Sequence, residues 1–250
     1  MLDSVKEIAL MGGKYLKDHY LKAIRVDLKG KKDLVTEVDY ASEKLVIAEI
    51  EKRFPDHSIL SEEIGLIDKG SDYKWVLDPL DGTVNFARGI PLFGIILSLL
   101  YKEEPIIGVV YLPVLNELYY AEKSKGAFLN DEPIHVTETN ELADAIISLG
   151  DFNIGLDDQT KNRVNDRLIN IISQFSPRTM RTKGFGSAAV DLTFLASGRT
   201  DALFYGYSNP WDILAGELIL KEAGGNVSQI DDLQLFSNKN LHDTILIRLK

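Results

Sequence analysis

The chain reads as an α+β protein: a mixed α/β fold of layered, mixed sheets, distinct from a doubly wound parallel sheet. Three observations carry that reading. Strand-like and helix-like stretches follow one another without strict βαβ alternation. Apolar strands joined by tight turns fill the middle of the chain. Amphipathic helical spacing brackets that block on both sides.

The elements follow in order. Val5 to Tyr20 is helical, with Val5, Ile8, Ala9 and Leu16 on one face. Leu28 to Lys32 is a basic, glycine-containing turn. A second helix is predicted over Tyr40 to Phe54, with Leu45, Val46 and Ile50 inward. Pro55 ends it by disfavouring helix at the preceding residue. Ser58 to Leu60 is a short strand with Glu62 and Glu63 at its end. Trp75-Val76-Leu77 is a strand that delivers Asp78 and Asp81 to the top of a sheet. Strands at Gly94 to Tyr101 and Ile106 to Leu112 are joined by the hairpin Lys102-Glu103-Glu104-Pro105. Glu117 to Glu122 and Ala127 to Val136 add edge strands, and helices are expected over Gln159 to Phe175, Ser187 to Ser197 and Trp211 to Ala223. There is no repeat, low-complexity segment or exposed linker, so two halves, residues 1–143 and 144–250, should pack as one unit.

Composition narrows the function. A chain of 250 residues with 45% hydrophobic and 26% charged residues has the material for a large core. A net charge of −10 argues against general nucleic-acid affinity, which calls for a basic face. With no cysteine, disulfides, thiolate nucleophiles and zinc–thiolate sites are excluded. No secretory signal is visible in Met1-Leu2-Asp3-Ser4-Val5-Lys6-Glu7, and the longest apolar run, Ile90 to Tyr101, is too short to span a bilayer. A cytoplasmic protein without membrane association is the expectation.

The most informative stretch is Trp75-Val76-Leu77-Asp78-Pro79-Leu80-Asp81-Gly82-Thr83-Val84-Asn85-Phe86. Pro79 locks φ between the two acids. Gly82 and Thr83 offer backbone N–H groups where a helix begins, a ready place for phosphate. Carboxylate oxygens beside an anion cradle suit a magnesium-dependent phosphate enzyme. Ser61-Glu62-Glu63-Ile64-Gly65 lies upstream; Asn209-Pro210-Trp211-Asp212 and Glu222-Ala223-Gly224-Gly225 lie downstream. Singly, each has an ordinary explanation: a turn, a solvated surface, a helix start. Asp39 likewise reads as an N-cap for a helix beginning at Tyr40. Adjacent strand residues face opposite ways, so Glu62 and Glu63 cannot serve one ion equally.

Taken together, from Asp33-Leu34-Val35-Thr36-Glu37-Val38-Asp39 to Gly225, these motifs resemble the inositol monophosphatase family of magnesium-dependent, lithium-sensitive sugar phosphatases. Other phosphatase chemistries fit poorly. The four histidines have no Arg-His-Gly context, and Asp-x-x-Asp puts Pro79 where an Asp-x-Asp-Gly-Thr enzyme needs its nucleophile. Metal-activated water remains.

The resemblance implies a layered αβαβα sandwich, with a metal-binding N-terminal half and a C-terminal half that completes the substrate site. It implies that Glu62 binds metal directly and Glu63 through water. Asp78 would bridge two ions, joined by the Leu80 carbonyl, Asp81 and Asp212. Thr83 and Asp39 would orient the attacking water. Phosphate would rest on Gly82 and Thr83. Asp81, Asp212, Gly186, Ser187 and Ala188 would line the sugar pocket, in preference to a dinucleotide reading of Gly184 to Ala189. One of Lys29, Lys31 and Lys32 would approach the site. Two to three Mg2+ ions are implied, with Mn2+ able to substitute and Ca2+ and Li+ inhibitory, in a homodimer acting on a small sugar or polyol phosphate.

Asn85-Phe86 after Asp-Gly-Thr matches the inositol and fructose phosphatases of the family. Tyr205 stands where many members carry an inositol-binding glutamate. The expected activity is therefore a broadened phosphoric monoester hydrolase, with inositol 1-phosphate first and fructose 1,6-bisphosphate second. The alternatives are a histidinol-phosphate or NADP phosphatase, or a non-catalytic partner of other machinery.

Overall fold

The computed structural model describes residues 1–22, 26–28, 34–152, 157–206 and 208–249. Lys29, Lys31, Lys32 and Asp33 lie outside these residues. The chain forms α1 (Leu2–His19), β1 (Val26–Leu28), β2 (Leu34–Thr36), α2 (Glu37–Arg53), β3 (Ser58–Ser61), β4 (Gly65–Ile67), β5 (Tyr73–Asp81) and α3 (Thr83–Ala87). Next come β6 (Gly94–Tyr101), β7 (Glu104–Leu112), β8 (Glu117–Glu122), β9 (Ala127–Leu129), β10 (Glu132–Pro133) and β11 (Ile146–Leu149). The remainder is α4 (Asp158–Phe175), β12 (Arg181–Lys183), α5 (Ala188–Ala196), β13 (Ala202–Tyr205), α6 (Pro210–Glu222), β14 (Asn226–Ile230), β15 (Leu233–Ser237) and α7 (Lys239–Arg248).

Beyond the β1–β2 pair, the strands build two sheets. One runs β10-β9-β8-β7-β6-β5-β3-β4, the other β12-β11-β13-β15-β14. Strand alternation then sets the layers. Ile95, Leu97 and Leu99 of β6 pack with Val5, Ile8 and Leu16 of α1 and Val46 and Ile50 of α2. Ile96, facing the other way, packs with Ala188 and Leu192 of α5 and Ala215 and Ile219 of α6. In the second sheet Leu203 and Tyr205 face that same middle pair of helices. Ala202 and Phe204 face Leu168 of α4 and Leu241 of α7. The order is helices, sheet, helices, sheet, helices: the αβαβα sandwich.

Several expectations change. Leu45 is exposed, and Ile47 takes its place on the inner face of α2 beside Val46 and Ile50. The edge strand expected over Ala127 to Val136 is two short strands. Asn130 and Asp131, with φ of 48° and 70°, turn the chain between them. The second sheet is the further β layer that the αβαβα expectation implies, but its individual strands and α7 have no counterpart in the sequence reading.

The last strand of the first sheet and the start of the second are tied by a buried carboxylate. Asp201 accepts from Thr137 Oγ1 at 2.6 Å and from the Ile146 N–H at 2.7 Å, while its backbone carbonyl accepts from the Asn238 N–H. Asp201→Ala strands two donors and should lower stability by about 2–4 kcal/mol. Urea unfolding measures this. Because Asp201 touches none of the candidate site residues, turnover per folded molecule should stay at the wild-type level.

Candidate active site

The site begins with an irregularity in β5. Asp78 pairs with Ile96 and Asp81 with Gly94, so two residues, Pro79 and Leu80, oppose Ile95 alone. Three residues apart on a regular strand, the two aspartates would face opposite ways. The bulge adds one residue and brings both onto the face of Ile96, toward α5 and α6. Pro79, with no N–H to give the ladder, is suited to this interruption. Gly94 opposite Asp81 leaves room for α5: a Cβ there would stand 3.3 Å from the Ala189 Cβ and 2.9 Å from the Tyr111 carbonyl.

Gly82 follows with φ of 81°, a left-handed conformation that glycine takes without strain, and α3 starts at Thr83. The Thr83 hydroxyl lies 3.0 Å from Asp39 Oδ1 and 3.0 Å from the Leu80 carbonyl. Asp39 is not the N-cap of its helix. Thr36 caps α2, and Asp39, at its third position, accepts from the Thr36 N–H at 2.8 Å to complete a capping box. The helix start thus fixes Asp39, and Asp39 fixes Thr83. Burial pushes the Asp39 carboxyl up, the Thr36 and Thr83 bonds oppose this, and the Glu62 charge adds to it.

Glu62 and Glu63 lie in the turn between β3 and β4, not on a strand, so strand alternation does not divide their roles. The Glu62 N–H donates to the Leu77 carbonyl, which places the turn beside β5. Buried Glu43 of α2 braces it, accepting from the Ser61 hydroxyl and from the N–H groups of Glu63 (3.0 Å) and Ile64 (3.2 Å). Sequence reading missed Glu43. Its signal was the interval of four from Asp39, which puts both acids on one helix face.

The C-terminal half closes the site. Asp81 accepts from the Ser187 hydroxyl and from the N–H groups of Ala188 (3.1 Å) and Ala189 (3.0 Å) at the start of α5. Ser187 and Ala188 are therefore brought directly to Asp81. Asn85 donates to the carbonyls of Phe185 (2.7 Å) and Leu92 (2.7 Å), clamping the loop before Gly186 onto α3. This gives the Asn85-Phe86 pattern a structural role. Asp212, in the first turn of α6, accepts from the Asn209 N–H at 2.8 Å. Tyr205 is buried at the end of β13 on the same side, its ring against Gly150. Burial first, then the charges of Asp212 and Asp81, push its phenol well up. Tyr207 lies outside the described residues. A cavity of about 440 Å³ beside Gly186 is walled by Asn85, Asp151, Phe152, Lys183 and Phe185.

Electrostatics bind these pieces into one site. Burial, followed by the charges of Glu62, Asp81 and Asp212, pushes Asp78 well above the usual carboxylate range. Asp81 is pushed up to about 6, by burial first and against the bonds from Ser187, Ala189 and Ala188. Asp212 is pushed up to about 7, by burial first and then by Asp81 and Glu62 against the Asn209 bond. The charges of Glu62 and Asp81 act on both Asp78 and Asp212, and such a cluster of acids forms a site short of positive charge. Hard oxygen donors of this kind fit magnesium. The side chains do not stand as a finished cage: among the described residues no three His, Cys, Asp or Glu groups are gathered to hold an ion. The cause is in the bonds above, since Asp81 and Asp212 are turned onto helix starts and Asp78 accepts from the Leu80 N–H at 3.0 Å.

Known proteins share this architecture. A profile of the inositol monophosphatase family matches residues 1–243. A fructose-1,6-bisphosphatase/inositol-1-monophosphatase of Aquifex aeolicus is 38% identical, over 98% of this chain and 93% of its own. A protein of Pasteurella multocida named Nus factor SuhB is 39% identical over 82% of this chain and 74% of its own. The solved structure of a Thermotoga maritima IMPase superposes with a TM-score of 0.89 at 36% identity, covering 99% of this chain and 96% of that one. The chain belongs to the inositol monophosphatase family and is a phosphoric monoester hydrolase.

Proposed function

We propose that the chain hydrolyses small sugar and polyol phosphate monoesters with water, inositol 1-phosphate foremost and fructose 1,6-bisphosphate as a second substrate. The observation that carries this is the convergence of Glu62, Asp78, Asp81 and Asp212, from three segments of the chain, into mutual electrostatic contact beside the Thr83–Asp39 pair. Glu62, Asp78, Asp81, Asp212 and the Leu80 carbonyl would hold Mg2+, with Glu63 acting through water. Bound there, the metal supplies a low-pKa water and charge neutralisation at the phosphate.

The chain's own groups do the rest. Asp39 accepts from the Thr83 hydroxyl, leaving the Thr83 oxygen to accept from the attacking water and aim it. The N–H groups of Gly82 and Thr83 receive phosphate oxygens. Gly186, Ser187, Ala188, Asp212 and Tyr205 would line the side where the sugar lies. The family resemblance extends this reading to Mn2+ substitution, to inhibition by Li+ and Ca2+, and to a homodimer. Relatives named Nus factor SuhB prompt a second reading, a partner of other machinery. The retained acids weigh against that role on its own, because a site without chemistry has no use for buried carboxylates that repel.

Phosphate release from inositol 1-phosphate, with and without chelator, tests the proposal. Activity should vanish with metal removal and return with Mg2+; turnover in rigorously metal-free enzyme would contradict it. Asp212→Asn should cost more than about 100-fold in kcat/KM, as the loss of a metal ligand rather than of a supporting contact. It should also leave a signature in stability. The folded carboxyl sits at about 7, against about 3.9 in an unfolded chain. The folded state therefore binds the extra proton between these values. Stability from that group is full below about pH 4 and is lost as pH rises through about 7. Without metal, Asp212→Asn should be the more stable protein at pH 8, and its advantage should shrink toward pH 4. Superimposable stability profiles would contradict the burial of this charge.

Tyr205→Glu should shift kcat/KM toward inositol 1-phosphate over fructose 1,6-bisphosphate by about one to two decades, the equivalent of one charge-assisted hydrogen bond of roughly 1.5–3 kcal/mol. An unchanged ratio means that residue 205 does not face the sugar.

A further inference from the structure

Helix α2 carries two buried acids one turn apart, and the reaction outlined above uses only the first. Asp39 holds Thr83. Glu43 holds the turn that bears Glu62 and Glu63, through a single oxygen that accepts from Ser61, Glu63 and Ile64. Glu43 is 0% exposed, and its second oxygen has no hydrogen-bond partner among the described residues. A carboxylate in that position is a poor device for stability alone. Burying such a group with one oxygen unpartnered is unfavourable, and it stands beside a site already crowded with acids. A glutamine carbonyl could accept from the same two backbone N–H groups without that cost.

The arrangement makes sense if the turn must keep one shape. Residues 62–64 connect β3 to β4, and the ladder resumes at Gly65 with φ of 81°. Three donors from four consecutive residues, 61 to 64, converge on one oxygen, so the turn cannot open or rotate without breaking all of them. Because Asp39 and Glu43 share a helix face, α2 also ties the Thr83 hydroxyl to the turn that carries Glu62. We propose that Glu43 is a positioning residue that holds the Glu62–Ile64 turn in the form that presents Glu62 and Glu63 to a divalent cation. The proposal rests on the metal reading above.

Its test is Mg2+ binding by calorimetry to the metal-stripped protein, in wild type, Glu43→Gln and Glu43→Ala, with thermal unfolding in the presence and absence of Mg2+. Glu43→Ala should weaken Mg2+ binding about 10–100-fold, the usual effect of removing a group that orients metal ligands. Glu43→Gln should lose less, because its carbonyl still accepts from Glu63 and Ile64. Saturating Mg2+ should return most of kcat to both variants, so that the defect lies in metal affinity and not in turnover. The melting-temperature drop relative to wild type should be larger with Mg2+ present than without. Equal drops in both conditions, with wild-type affinity, mark Glu43 as merely structural and overturn the proposal. Should Glu43→Ala fail to fold, Glu43→Gln decides alone, and undiminished affinity overturns it. If wild type itself fails to bind Mg2+, the metal reading falls, a result distinct from wild-type binding matched by both variants.

Discussion

The bulge at Pro79-Leu80 is the constraint on which the site depends. A strand shows its faces alternately, and Asp78 and Asp81 are an odd number of residues apart. Only the extra residue opposite Ile95 puts both carboxylates on the side of α5 and α6. Every later piece is placed relative to that face. Gly82 turns the chain left-handed into α3, Thr83 meets Asp39, and Asp81 reaches into the middle layer to the start of α5. Regular pairing through Asp81 would aim one acid into the apolar α1–α2 layer, among Leu77, Ile95 and Val46, where burying a charge is costly.

Because the acids enter from both halves of the chain, the site is also a junction. Asp81 takes its hydrogen bonds from Ser187, Ala188 and Ala189, while Asn85 takes hold of the Phe185 carbonyl. These bonds do two things at once. They anchor the wall of the pocket, and they partly offset the cost of burying a carboxylate beside others. The offset is incomplete, as the upward shifts at Asp78, Asp81 and Asp212 show. The fold thus holds an arrangement that is unfavourable by itself and that the proposed cation would relieve, a common pattern where function and stability compete.

Local chemistry is legible in the residues themselves, whereas the layer order is legible only through the family resemblance. The helices of α1, α2, α5 and α6 follow from apolar spacing, and the acids on β5 and α6 follow from their motifs. The family resemblance implies a second β layer, but its individual strands are not legible in the sequence because they are short. Ile146–Leu149, Ala202–Tyr205 and Leu233–Ser237 are runs of four or five residues, too brief for periodicity to separate strand from buried helix. The placement of Glu62 and Glu63 on a turn depended on the pairing of Ser61 with Gly65, a partner four residues away that only the sheet reveals. Asp39 reads both as the partner of Thr83 and as an N-cap; it does meet Thr83, but it sits at the third position of the helix rather than at the cap. Thr36 was already in view as the true cap, with Asp39 three residues on, the capping-box interval. Glu43 carried no motif; its meaning came from what it touches.

The central claim is that carboxylates held partly protonated, by burial first and by neighbouring charge second, await a divalent cation. Binding of Mg2+ must then expel protons. Calorimetric titration of metal-stripped protein in buffers of differing ionisation enthalpy counts them directly. The account predicts net proton release near pH 6, where Asp81 and Asp212 titrate, declining toward pH 8 and reduced in Asp212→Asn. Binding of Mg2+ with no proton release at either pH would contradict it, because the acids would then be fully ionised before the ion arrives.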